Sequence, residues 1–166
     1  HGLSLVSRYP LKDVEIIRLK KFQLKVNTRC RIALAVTVDS PAGKVRIINV
    51  HLDTRINARR RLEQIQPVLE AAQSYEGAFV IGGDLNTQNF YWVGHVIPIP
   101  FFHKQIRPVR EALEEVGFST PFGEIQTHKW APLKLDWIYM KGLSSVEHGV
   151  ENAGFSDHRA IWVRMQ

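Results

Sequence analysis

Apolar residues along this chain gather in short runs divided by polar and turn-forming residues. Leu3 to Val6, Val14 to Val26, Ile32 to Val38, Val45 to Leu52, Ala78 to Ile81, Leu135 to Met140 and Ala160 to Met165 are rich in Val, Ile and Leu. Their length and β-branching predict strands. Pro41-Ala42-Gly43-Lys44 falls between two of these runs and reads as a turn, so Ile32 to Val38 and Val45 to Leu52 should pair as an antiparallel hairpin. The second arm delivers His51 at its end.

The period changes from Ala58 to Tyr75, where Leu62, Ile65, Val68, Leu69 and Ala72 recur at helical spacing. Pro67 lies inside this helix and removes a backbone hydrogen bond at a cost of about 3 kcal/mol, which predicts a kink or a restart. A second helix is marked by Pro108 at its start, by Val109, Ala112, Leu113 and Val116 on one face, and by Gly117 as its stop. The stretch Asn89 to Gln105 interleaves Phe90, Tyr91, Trp92, Phe101 and Phe102 with Pro98 and Pro100 and reads as a long loop. Its aromatics suit either a wall for a base or lipid, or a cover over the core. Strands and helices are mixed without repeats, as in an α/β or α+β sandwich.

At 166 residues and 45% hydrophobic, the chain is sized for a single domain over 1–166 with a continuous core. A net charge of +6 and a pI near 9.7 favour anionic partners, although a merely soluble basic surface fits equally well. Cys30 is the only cysteine, so it forms no internal disulfide; without His or Asp neighbours it reads as a packed strand residue. No apolar run reaches the length of a membrane span and no signal-peptide pattern is present.

Chemistry concentrates where apolar runs end. In Gly82-Gly83-Asp84-Leu85-Asn86-Thr87, side chains two apart in extended chain point the same way, so Asp84 and Asn86 should share one face. A carboxylate there can deprotonate a water, and an amide oxygen can hold that water or a hard cation. A self-capped Asp-Leu-Asn turn is the alternative. Asp136 is a carboxylate inside the apolar run Leu135 to Tyr139 and needs a partner, either His158 or Lys134. Ser156-Asp157-His158 precedes the last strand and offers an anionic oxygen beside an imidazole that can donate to phosphate. Arg59, Arg60, Arg61 and Gln64 open the first helix, with Arg61 and Gln64 placed to brace the loop that carries His51. The histidines show no zinc spacing, and hard oxygen donors point to Mg²⁺ or Mn²⁺.

In order and spacing, Asn49-Val50-His51-Leu52-Asp53, Gly82 to Thr87, Leu135-Asp136-Trp137 and Ser156-Asp157-His158 resemble the endonuclease/exonuclease/phosphatase superfamily, as does Ser7-Arg8-Tyr9-Pro10 near the start. The resemblance implies an α+β fold, part of a four-layer α/β/β/α sandwich of the deoxyribonuclease I type with mostly antiparallel sheets. It implies a divalent-metal-dependent phosphoesterase, nuclease-like, that hydrolyses a phosphate ester by activated water. His51, Asp84, Asn86, Asp136 and His158 would be catalytic, and Asp157, Asp84 and Asn86 would hold the metal. Arg55 and Arg61 would contact substrate, with Asp53 in support. The basic charge favours nucleic acid over phospholipid as the phosphate-ester partner. The family's early strands, which carry an Asn and a metal-binding Glu, have no counterpart here, so an upstream N-terminal segment or self-association is expected to complete the fold. The alternative is a non-catalytic nucleic-acid or phospholipid-binding module with a degenerate metal site.

Overall fold

The computed structural model describes residues 2–25, 29–100 and 105–166. Its elements in chain order are β1 (Leu11–Arg18), β2 (Ile32–Ser40), β3 (Gly43–His51), α1 (Ala58–Gln73), β4 (Ala78–Asp84), β5 (Tyr91–Val93), β6 (Ile97–Ile99), α2 (Arg107–Glu115), β7 (Asp136–Lys141), β8 (Ser145–Asn152) and β9 (Arg159–Met165). A five-stranded sheet runs in the order β1-β2-β3-β4-β7. The predicted hairpin is present, with Val38 opposite Val45 and Ser40 opposite Gly43 across a turn at Pro41-Ala42. Strands β3 and β4 are parallel, which obliges the chain to cross over between them, and α1 makes that crossing.

Side-chain alternation decides the two faces of the sheet. Ala33, Ala35, Ile48, Val50, Phe79, Ile81, Trp137 and Tyr139 point to the helices and form one buried cluster with Ile65, Val68, Leu69 and Ala72 of α1 and Val109 and Leu113 of α2. Residues one position out of phase, His51, Asp84 and Asp136 among them, therefore face away from the helices. The β8–β9 hairpin lies on the far side of β7, with β9 in contact with it. The outcome is a mixed α+β sandwich with mostly antiparallel pairing, as expected.

Several expectations are corrected. Leu3 to Val6 forms no strand, and β1 ends at Arg18 where the apolar run continues toward Val26, itself outside the described residues. Beyond Arg18, Phe22 and Leu24 leave the sheet and pack with Ile56 in a cluster of their own, so burial and not strand pairing explains their hydrophobicity. Cys30 is exposed and precedes β2 instead of packing within a strand. Helix α1 runs unbroken through Pro67, since the apolar face on both sides of that residue is buried in the same core. The loop at 89–105 contains the short β5–β6 hairpin; Phe101 and Phe102 lie outside the described residues. Strand β8 has only Val146 and Val150 as large apolar residues, too weak an alternation to announce it.

Gly83 fixes how closely β3 and β4 approach. Its φ is +135°, and a Cβ placed there would stand 2.1 Å from the Val50 carbonyl oxygen. At Gly82 the nearest atoms are 3.7 and 3.8 Å away, ordinary contact distances. Gly83→Ala should therefore lower the unfolding free energy by roughly 3 kcal/mol or more, while Gly82→Ala should change it by about 1 kcal/mol at most. Urea denaturation of the two variants checks the contrast.

Candidate active site

One row of the sheet gathers three of the candidate residues. His51 on β3 lies in register with Asp84 on β4, and Asp84 with Asp136 on β7. Cross-strand partners point the same way, so three residues far apart in sequence emerge side by side. His158, just before β9, closes the group: its Nδ1 and Asp136 Oδ2 are 2.8 Å apart. Lys134, the other partner considered for Asp136, makes no hydrogen bond from its buried Nζ. It sits 4.4 Å from the Trp137 ring centroid and 5.0 Å from that of Phe122. Burial brings its amine down to about 8, against the opposing charge of Asp136.

Asp84 and Asp136 are like charges in adjacent positions. Burial, then the Asp136 charge, raises Asp84 to about 6. Burial pulls His158 down, but the Asp136 charge and hydrogen bond, with Asp84 and Asp157 beyond, leave its imidazole above its ordinary value. His51 moves the opposite way: burial and the nearby Arg31 bring it down to about 4. Its 3.5 Å contact from Nε2 to Asp84 Oδ2 is therefore no ion pair near neutrality. The two histidines differ in character, with His158 suited to hold a proton and His51 neutral.

Asn86 reaches the site by another route than strand alternation. Strand β4 ends at Asp84, and Asn86 has φ +48°, a left-handed conformation that Asn tolerates better than most residues. Its backbone N–H donates to Asp84 Oδ1 at 2.9 Å, the self-capped turn considered as the alternative. Its Nδ2 donates to the Leu52 carbonyl at 2.9 Å, which commits the nitrogen and leaves the amide oxygen as the end for a water or a cation. Thr87, next along, accepts the Trp137 indole N–H at 2.6 Å and donates to the Lys134 carbonyl at 3.2 Å. This ties the turn to β7.

The fold buries one of the two arginines expected to contact substrate. Arg61, expected to touch substrate, is 0% exposed. Its Nη2 donates to the Ile56 carbonyl at 2.8 Å, while Nε and Nη1 have no hydrogen-bond partner. Burial lowers it to about 10 against the charges of Asp84 and Asp53, so it is a cation behind the site and not a substrate contact. Arg55 lays its guanidinium over the Trp92 ring, 5.6 Å from the centroid. Arg31 is the residue the sequence reading passed over. Its Nε donates to the buried Asp53 at 2.7 Å, and it lines a small pocket with His51, Gly2 and Leu3. Gln64 fixes Asp53 in turn, accepting its N–H and donating to Oδ2, both at 2.8 Å. Gln64 thus braces the segment after His51 through Asp53.

Asp84, Asp136 and His158 offer ligand atoms that all lie within 4.8 Å of one another. Two apposed carboxylates, one of them with its proton affinity raised by burial and then by the charge of the other, suit a hard divalent cation, which would relieve their repulsion. Asp157, expected among the metal ligands, is exposed and outside this tight group; its carbonyl accepts the Lys129 N–H at 2.7 Å. Thr127 was also unforeseen. Its hydroxyl accepts the N–H groups of Leu135 at 2.9 Å and Asp136 at 3.0 Å, setting the start of β7.

The model of the endonuclease/exonuclease/phosphatase family matches residues 1–158. No curated protein matches the sequence. Among solved structures, an endonuclease/exonuclease/phosphatase from Beutenbergia cavernae superposes with a TM-score of 0.75 at 19% identity, covering 96% of this chain and 46% of that one. The human Nocturnin catalytic domain with bound sulfate gives 0.67 at 18% identity, over 96% of this chain and 60% of that one. The Bacteroides thetaiotaomicron mannosyl-6-phosphatase Bt3783 gives 0.64 at 12% identity, over 95% and 67%. The chain thus spans about half the length of the first of these and roughly two thirds of the others. At such low identity the superpositions show a common fold alone, and the family model, which covers nearly the whole sequence, shows that the chain belongs to the endonuclease/exonuclease/phosphatase family.

Proposed function

We propose that this chain carries the water-activating side of a divalent-metal-dependent phosphoesterase. The observation that supports it most is the juxtaposition of Asp84, Asp136 and His158 within 4.8 Å, with Asp136 bound to His158. Family membership supports it, as does the likeness in fold to a protein named a mannosyl-6-phosphatase, and the basic charge favours a polyanionic ester, nucleic acid before phospholipid.

Asp84 takes the proton of the attacking water. Its raised affinity for protons makes it a better base than an ordinary carboxylate while leaving it mostly ionised at neutral pH. Asn86 holds that water through its amide oxygen. His158, protonated and oriented by Asp136, donates to a phosphate oxygen as the water oxygen bonds to phosphorus and the P–O bond to the ester alcohol breaks; the departing oxygen takes a proton from solvent, and Arg31 adds a fixed positive charge beside neutral His51. Asp84 and Asp136, with the amide oxygen of Asn86, would hold Mg²⁺ or Mn²⁺. When bound, the cation neutralises phosphoryl charge as a Lewis acid.

Hydrolysis of methyl p-nitrophenyl phosphate tests this reading. Turnover should require Mg²⁺ or Mn²⁺, cease in EDTA, and fall about 100-fold or more in Asp84→Ala and in His158→Ala. Near-normal rates in either variant, or turnover undiminished by EDTA, would overturn it.

The same assignment has a stability consequence. Asp84 binds its proton more tightly in the folded chain than in the unfolded one, so its protonation stabilises the fold. That contribution is complete below the ordinary carboxylate value of 3.8 and is lost as pH rises through about 6. Asp84→Asn mimics the protonated form. In metal-free buffer at pH 7 to 8 it should be more stable than wild type by on the order of 2 kcal/mol, and thermal melts at pH 4 should show that advantage gone.

A further inference from the structure

Trp130 is 71% exposed, yet the loop that presents it is firmly held. Gln126 Nε2 donates to the carbonyls of His128 at 2.8 Å and Ala131 at 2.7 Å. His128 Nδ1 accepts the backbone N–H of Ala131 at 3.0 Å and of Trp130 at 3.3 Å. The Lys129 N–H reaches the Asp157 carbonyl and the Arg159 N–H reaches that of Thr127, both at 2.7 Å. Thr127 is wholly buried and is the residue whose hydroxyl sets Asp136. The loop that positions the catalytic carboxylate is thus the loop that holds an indole out in solvent.

Two rings of this loop and the His158 imidazole beyond it form a file. Trp130 and His128 have centroids 6.1 Å apart, and His128 and His158 have centroids 5.9 Å apart. An exposed indole therefore stands two ring contacts from the imidazole bound to Asp136. Lys129 adds a cation 5.8 Å from the Trp130 centroid. A flat aromatic face presented on a rigid loop loses little entropy when another ring stacks on it.

We propose that Trp130, with His128 behind it, is a stacking subsite for a nucleobase attached to the phosphate that His158 contacts, so that the substrate class is a nucleic-acid strand. This rests on the phosphoesterase reading for the role of His158, but stacking is measurable without turnover. A base has a π-face whatever its identity, so the subsite tolerates sequence, and Lys129 meets the strand's phosphates. A lipid surface is the competing occupant, because Phe155 is also fully exposed. It follows Gly154, whose carbonyl accepts Lys129 Nζ at 3.2 Å. The polar edges of His128 and the Lys129 amine interrupt any apolar patch there and favour the strand.

Anisotropy of a labelled oligothymidylate, titrated with the full chain in EDTA, isolates the subsite. Trp130→Ala should weaken binding about 5- to 100-fold. Trp130→Phe should restore most of the affinity and Trp130→Leu should not. An abasic strand of equal length should bind wild type and Trp130→Ala alike. The proposal fails if Trp130→Ala binds the oligonucleotide as wild type does, or if leucine substitutes fully. It also fails if the substitution abolishes binding to phosphatidylserine vesicles while leaving oligonucleotide binding intact. Base-dependent binding without hydrolysis of any diester would remove the hydrolytic reading and leave the subsite. Diester hydrolysis without base-dependent binding would do the reverse.

Discussion

The site depends on one row of strand register. His51, Asp84 and Asp136 stand in line only because β3 and β4 are parallel and in step while β7 runs back against β4 in the matching phase. A slip of one residue on any of the three strands would turn its functional side chain into the helix-packed core and bring an apolar one out. The buried cluster beneath, from Ile48 through Ile81 to Tyr139, fixes that phase, and the close approach at Gly83 fixes the spacing. Core packing and active-site geometry are the two faces of the same alternation.

That row sets stability against function. Two carboxylates held side by side in a partly dry place resist joint ionisation, which shows in the raised proton affinity of Asp84. The fold offsets this from several directions. His158 bonds Asp136, Arg61 lies buried behind Asp84 and Asp53, and Arg31 is fixed by Asp53, which Gln64 holds from both ends. Such positive groups do not cancel the repulsion. They leave a place whose electrostatics favour an added cation and, beyond it, a phosphate.

The legible parts of this site are those that local pattern can carry. His51, Asp84 and Asp136 each interrupt or end an apolar run within a segment that resembles a family motif, and the structure sets all three on strands. Asn86 does not share a strand face with Asp84 by alternation, because the chain leaves the strand at Asp84 and turns through a left-handed residue. Arg61 sits among other arginines at a helix start and reads as surface, whereas the fold buries it. Arg31, Thr127 and His128 have no periodic signature at all, since each acts through hydrogen bonds or ring contacts to residues distant in sequence. Strand β8, with few apolar residues, was invisible for the same reason in reverse: its partner β9 supplies the pattern that it lacks.

If the row and His158 act as one unit, removing either Asp84 or His158 should disable it, and removing both should add little. The direct measurement is the turnover rate of Asp84→Ala, His158→Ala and the double variant on the same phosphodiester. A double variant within a few-fold of the slower single variant is the predicted result. Losses that multiply independently would contradict the claim that these residues work as a single site.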